Sequence, residues 1–223
     1  MTEGLKPKAH ILLAYIKAGK TWAQLFAEQI DNALDRNAGN ASQVIFTIRQ
    51  DSIEVTDNGQ GISDPNRLAR LGDSESFFHD FNLGQFGIGA KAWMCKANKL
   101  RVETICNGIR HKCSFDLTPS LRALDAKDRD VPWIREYTGE GRETKHDSFT
   151  TLTLEDLRET KPIFLNAVIA ELQKIYWPAF KTGRTIVFND RRRKKSTHTV
   201  EALSPPSWDK KVEFESSVNG RAY

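Results

Sequence analysis

Apolar residues recur along the chain with two periods, and the changes of period mark the elements. From 20 to 37, Trp22, Ala23, Phe26, Ile30, Ala33 and Leu34 return at helical spacing, and Gly39 follows as a stop. The period then drops to two. Val44, Phe46 and Ile48 alternate with polar residues over 43–50, and Ile53 and Val55 do so over 52–57, with a tight turn at Gln50-Asp51. Residues 58–86 hold Gly, Asp, Ser and Asn throughout and read as a long loop with one short helix near Asn66–Leu71; a loop of that length in a compact domain is usually functional or disordered. A small-residue helix follows over 88–97, then strands over 99–106 and 109–117. Residues 118–147 read as charged and irregular, Phe149–Leu154 as a strand, 162–180 as an amphipathic helix and Thr185–Phe188 as a last strand. From Asn189 the character changes. A basic linker is expected over 191–223, through Ser204-Pro205-Pro206 to a strand-like Lys211–Phe214 that begins a truncated following domain.

Composition narrows the class. With 223 residues, 39% hydrophobic and 28% charged, the chain reads as an ordinary soluble globular protein of one large domain or one domain and part of a second. No stretch approaches a membrane span, and Met1–His10 does not read as a secretory signal, so no membrane partner and a cytoplasmic location are expected, or a nuclear one in a eukaryote. Cys95, Cys106 and Cys113 are odd in number and widely spaced, which favours a reducing compartment over a disulfide framework. Cys106, His111 and Cys113 lack a second pair to complete tetrahedral metal ligation and read as buried strand residues. The net charge of +4 is mild and concentrated in Arg191, Arg192, Arg193, Lys194 and Lys195, a run that reads either as a solvated loop or as a contact for nucleic-acid phosphates. Lys6, Lys8, Lys17 and Lys20 precede the first helix, as a solvated arm or as one crossing to a second protomer. Trp22, Trp93 and Trp177 stand in apolar contexts and read as core.

Three segments hold candidate chemistry. At about 100° per residue, Glu28, Asn32 and Asp35 fall on one stripe of the first helix, opposite Phe26, Ile30 and Ala33. Such a stripe is by itself usually just wet surface. Next, Val55-Thr56-Asp57-Asn58-Gly59-Gln60-Gly61-Ile62 puts a carboxylate at the end of a strand. There it can accept a hydrogen bond from the exocyclic amine of adenine and reject guanine, whose carbonyl would face it. Gly59 and Gly61 allow close approach of the backbone and positive φ; a plain Asp-Asn-Gly turn is the alternative. Third, Leu83-Gly84-Gln85-Phe86-Gly87-Ile88-Gly89-Ala90-Lys91 leads glycines into a helix N-terminus, where backbone N–H groups and the helix dipole can cradle phosphate. It is neither a P-loop nor the dinucleotide fingerprint.

Taken in order, Glu28–Asp35, Asp57–Gly61 and Gly84–Gly89 resemble the N-box and the two glycine boxes of the GHKL ATPases, the superfamily of gyrase, heat-shock chaperone, histidine kinase and MutL ATP sites. The resemblance covers roughly residues 20–190. Gly84–Gly89 looks most like the chaperone version, and Thr21-Trp22-Ala23, Ala27-Glu28, Asp31-Asn32-Ala33 and Lys91 look like MORC ATPases. It implies a Bergerat fold: a two-layer α/β sandwich in which helices 20–37, 88–97 and 162–180 cover one face of a mixed, largely antiparallel sheet. It implies ATP and Mg²⁺ as cofactors. Glu28 would be the general base, a position typically Asn in histidine kinases, and Asn32 the Mg²⁺ ligand. Asp57 would read adenine with Gly59, Gly61 and Ile62 beside it. Asp35 would join the nucleotide site, and Gly84, Gln85, Phe86, Gly87, Ile88, Gly89, Ala90 and Lys91 would hold phosphates. Residues 62–83 would be the ATP lid. Thr150 would belong to the adenine site, although the family's usual Gly-Thr is Phe149-Thr150 here. The domain would span 1–190. In many members a lysine from the following domain reaches the γ-phosphate, so slow hydrolysis is expected of this chain. The function implied is an ATP-driven switch or clamp that forms a homodimer on binding ATP. A chaperone-like ATPase, a DNA-processing subunit resembling MutL or topoisomerase, and a degenerate nucleotide-binding scaffold are the alternatives.

Overall fold

The structure is a computed structural model and describes residues 19–35, 39–68, 89–125, 135, 137–158, 162–192, 195–201, 217–218 and 221–222. The first helix, α1 (Trp22–Leu34), begins at a capping box. The Gln24 N–H donates to Thr21 Oγ1 at 3.2 Å, and the Thr21 N–H to Gln24 Oε1 at 2.9 Å. Strands β1 (Gln43–Ile48) and β2 (Ser52–Asp57) form the expected hairpin, closed by the Arg49 N–H on the Ser52 carbonyl. A 3₁₀ turn, Pro65–Leu68, and a short helix, α2 (Gly89–Met94), precede strands β3 (Ala97–Cys106) and β4 (Ile109–Asp116). Then come helix α3 (Thr118–Asp125), β5 (Arg142–Glu143), β6 (Phe149–Leu157), helix α4 (Leu165–Lys181), β7 (Thr185–Asp190) and β8 (Ser196–Val200). A two-stranded ladder joins β9 (Ser217–Val218) to β10 (Arg221–Ala222).

The main sheet has the order β5-β4-β3-β6-β2-β1-β7-β8, and every pairing is antiparallel except β1 with β7. Alternation decides its two faces. Val44, Phe46, Ile48, Ile53, Val55, Leu100, Val102, Leu152, Leu154, Ile186 and Phe188 are buried on one side. Phe26 of α1 packs edge-on against Phe46 at 4.9 Å, Trp93 of α2 at 5.6 Å and Phe188 at 5.3 Å, so helices and sheet share one aromatic centre. Leu172 and Tyr176 bring α4 into the same core. The opposite face is polar. Thr56 and Thr151 hydroxyls meet at 3.0 Å, and Glu103 pairs with Arg110 and Lys112. This is the expected two-layer α/β sandwich with helices on one face.

Several boundaries differ from those read in the sequence. Helix α2 ends at Met94 because Ala97 enters β3, two residues before the expected strand. The stretch read as irregular contains α3, whose Thr118 N–H bonds Asp116 Oδ1 at 2.9 Å while Leu117 and Leu121 are buried. Charged neighbours hide that short apolar face. Past Asp190 the expected linker contains β8, paired antiparallel with β7 and ending on buried Val200. Its Ser-Thr-His-Thr-Val composition gives almost no apolar signal, because only Val200 reaches the core. The strand expected over Lys211–Phe214 lies outside the described residues. None of the described helices is long and apolar enough to cross a membrane.

Candidate functional site

At the end of β2 the apolar alternation gives way to polar residues. Asp57 lies opposite Thr150 of β6, and Thr150 lies opposite Thr104 of β3, all in the row that continues the core face. Thr150 is 6% exposed and Thr104 is fully buried. Buried hydroxyls need partners. Thr104 Oγ1 donates to the Phe149 carbonyl at 3.0 Å and accepts the Ile62 N–H at 2.8 Å. It therefore pins the chain where it leaves the glycine motif.

The rest of that motif is equally constrained. Asp57 Oδ1 accepts the Gly59 N–H at 2.9 Å. Asn58 Oδ1 accepts the N–H groups of Ser42 and Gln43, and its Nδ2 donates to Ser42 Oγ. The Gln60 N–H bonds the Gly39 carbonyl at 2.7 Å. Gly61 has φ +81, and a Cβ there would lie 1.9 Å from the Ile105 carbonyl oxygen, so only glycine fits. Burial pushes the Asp57 carboxyl up to about 6, with the Gly59 N–H pulling the other way. Among the described residues its Oδ2 takes no hydrogen bond.

Gly39 ties this loop to α1. A Cβ at Gly39 would meet the Asn32 carbonyl at 2.6 Å, and one at Gly59 would meet the Gly39 carbonyl at 2.2 Å. The helix end is closed by the Ala41 N–H on the Ala33 carbonyl, Arg184 Nη1 on the Leu34 carbonyl and the Asn40 N–H on the Asp35 carbonyl. So the end of α1 and the Asp57–Gly61 loop meet at Gly39.

On α1, Glu28 is half-buried and Asn32 exposed. The helix ends at Leu34, short of the expected residue 37, and Asp35 is its buried C-cap, its N–H still bonded to the Asp31 carbonyl. Lys20, read as part of a solvated arm, forms an ion pair with Glu28 Oε1. Between the two site residues, Asp31 is held from the core side. The Tyr176 hydroxyl reaches its Oδ1 at 2.6 Å and the Ala27 carbonyl at 2.9 Å. Burial raises the Asp31 carboxyl above its ordinary range, the Tyr176 bond opposes this, and Glu28 and Asp35 add to the rise. Tyr176 stays protonated because burial and the Asp31 charge both disfavour its anion.

Of the second glycine box, Gly84, Gln85, Phe86, Gly87 and Ile88 lie outside the described residues, while Gly89, Ala90 and Lys91 form the first turn of α2. Residues 62–68 of the expected lid are anchored: Ile62 by Thr104, and Asn66 by a reciprocal pair with the Tyr137 backbone at 2.7 and 2.9 Å. The rest of that segment, 69–83, is outside the described residues. In the basic run, Arg192 is committed to Asp190 and the Ile163 carbonyl, whereas Arg191 and Lys195 are exposed. Trp93 is fully buried; of the three residues read as buried strand positions, Cys113 is buried, but Cys106 and His111 are only partly so. Lys20, Gly39, Asn58, Thr104 and Tyr176 were not among the site residues read from the sequence, where Gly39 stood only as a helix stop and Lys20 only as part of an arm. Only Asn58, inside the Asp-Asn-Gly turn, carried a local signal.

No curated protein matches the chain. Residues 21–133, just over half of it, match the family described as histidine kinase-, DNA gyrase B-, and HSP90-like ATPase. That span runs from the N-cap of α1 past β4 and contains both segments that meet at Gly39. The chain belongs to this GHKL ATPase family, and its two-layer domain is an ATP-binding domain.

Proposed function

We propose that this domain binds ATP with Mg²⁺ and hydrolyses it as an ATP-driven conformational switch that dimerises when nucleotide is bound. The observation that carries the reading is the register row of Asp57, Thr150 and Thr104, joined through Gly39 to the helix bearing Glu28 and Asn32. Asp57 suits adenine: its Oδ2, without a hydrogen bond among the described residues, stands on a loop fixed from several sides, and its carboxyl, at about 6, is ionised at neutral pH and accepts the exocyclic amine. The Thr150 hydroxyl is the next polar group in that row. Exposed Asn32 offers an amide oxygen to Mg²⁺, a hard cation that takes few protein ligands beside phosphate and water. Bound ATP–Mg²⁺ supplies the reactive phosphoryl group and neutralises charge on it. Glu28 accepts the proton of the attacking water as the bond from the γ-phosphorus to ADP breaks; such help is worth roughly 10²–10⁴ in rate. The switch follows if ATP contacts a closed state better than an open one.

The test is titration with a non-hydrolysable ATP analogue with and without Mg²⁺, followed by measurement of molecular size. Mg²⁺-dependent binding and a nucleotide-dependent dimer are expected. A chain that binds no adenine nucleotide would sink the reading, and binding without dimerisation would remove the switch. Turnover abolished by Glu28→Ala with binding retained would assign the base.

A further inference from the structure

Lys20 lies one residue before the span that matches the family, and it touches the candidate base. Gly19 turns the chain with φ +61, and the Thr21–Gln24 capping box then fixes how it enters α1. Lys20 therefore starts from a defined position just outside the helix. Its ammonium reaches Glu28 Oε1 eight residues on. An α-helix rises 1.5 Å per residue, so about 12 Å separates positions that far apart along the axis. Helical side chains lean toward the N-terminus, which points Glu28 back to meet the extended lysine. The two side chains are 27% and 32% exposed. Ion pairs that wet add little to stability. What this one does is orient: a glutamate has three side-chain torsions, and with Oε1 held, Oε2 is presented in one direction.

We propose that Lys20 is a positioning residue for the Glu28 base. This rests on the reading of Glu28 given above. During hydrolysis the water oxygen bonds to the γ-phosphorus, the bond to the ADP oxygen breaks, and the water proton passes to Glu28 Oε2 and then to solvent. Lys20 stays on Oε1 throughout and takes no part in the proton transfer. The chain thus carries, just before its first helix, a cation that aligns the base.

The experiment compares the full 223-residue chain with Lys20→Met, Lys20→Arg, Glu28→Ala and the Lys20→Met/Glu28→Ala pair. Single-turnover hydrolysis of Mg-ATP reads the chemical step, and equilibrium binding of a non-hydrolysable analogue reads affinity. Lys20→Met is expected to slow single turnover about 10- to 100-fold, the cost of a misplaced group, with analogue Kd within twofold of wild type. Lys20→Arg should recover most of the rate, and the double variant should be no slower than Glu28→Ala alone. A Lys20→Met rate within twofold of wild type, with Glu28→Ala inactive, would overturn the positioning role while leaving Glu28 as base. A loss of analogue affinity as large as the loss of rate would overturn it too, since Lys20 would then be binding phosphate. Wild-type turnover no faster than Glu28→Ala would overturn the base itself and the proposal with it.

Discussion

The two ends of the candidate site are built in opposite ways. Around Asp57, backbone N–H groups of Gly59, Gln60 and Ile62 all have partners, Asn58 clamps the start of β1, and two glycines stand where no Cβ fits. On α1, Glu28 is held by one lysine and Asn32 is exposed. If the Asp57 loop reads a flat base as proposed, by one hydrogen bond and close backbone approach, its preformed shape lowers the cost of ordering it on binding. Glu28 and Asn32, in the roles proposed for them, would meet charge whose position ATP and Mg²⁺ themselves set, so freedom there would cost less. Rigidity is concentrated where the protein must supply the geometry.

This contrast can be broken or sharpened by substitution. The largest effect is expected at Gly61. Gly61→Ala places a Cβ against the Ile105 carbonyl in a left-handed conformation, and a loss of roughly 3 kcal/mol in urea unfolding is expected, with loss of nucleotide binding. Unchanged stability would mean the loop is softer than its contacts indicate.

Asp57→Asn separates shape from chemistry. Its Oδ1 can still accept the Gly59 N–H, but its amide presents a donor to adenine, and analogue affinity should fall about 100-fold, near 3 kcal/mol. Stability should move the other way. The folded value of about 6 lies above the ordinary 3.8, so the folded protein holds this proton more tightly and stability falls as pH rises between them. The Asn variant lacks that penalty. It should be more stable than wild type at pH 7 by up to about 3 kcal/mol, and the gap should close below about pH 4. A gap that does not change with pH in thermal unfolding would show that Asp57 is not the cause.

Asn32→Ala probes the other end. It should weaken analogue binding about tenfold with Mg²⁺ and leave Mg²⁺-free binding and folding stability unchanged within roughly 0.5 kcal/mol, since the residue is exposed. Equal losses with and without the metal would detach Asn32 from it. The smallest effect is expected for Thr104→Val, about 1 kcal/mol in stability. It removes one pin of several, and a much larger loss would make Thr104 the keystone of the loop.

Much of this site could be read before the fold was known. Glu28 and Asn32 stand four residues apart on a helix with an apolar back, and Asp57 ends an alternating strand beside two glycines. Both patterns are local, so spacing exposes them. Asp35 falls at the C-cap, where the helix ends, and is buried while Asn32 is exposed, which spacing alone does not reveal. Thr104 and Tyr176 were hidden for a different reason. A threonine in a strand and a tyrosine on an apolar helix stripe are ordinary, and their partners Ile62 and Asp31 lie 42 and 145 residues away in the chain. Lys20 looked like arm because its partner is more than two helical turns on, beyond the three- and four-residue spacings of helix neighbours.

By itself the sequence determined the periods, and with them the helices, the strands, the solvated and apolar faces and the kinds of side chain available for chemistry. Only the tertiary structure decided the register. It set Thr150 against Asp57 and Thr104 against Thr150, carried β8 onto the sheet beyond the basic run, and brought Gly39 between the end of α1 and the Asp57–Gly61 loop. Strand pairing is non-local, and a strand's alternation says which residues share a face but not which residue of another strand lies opposite. That choice is made by packing the whole core at once.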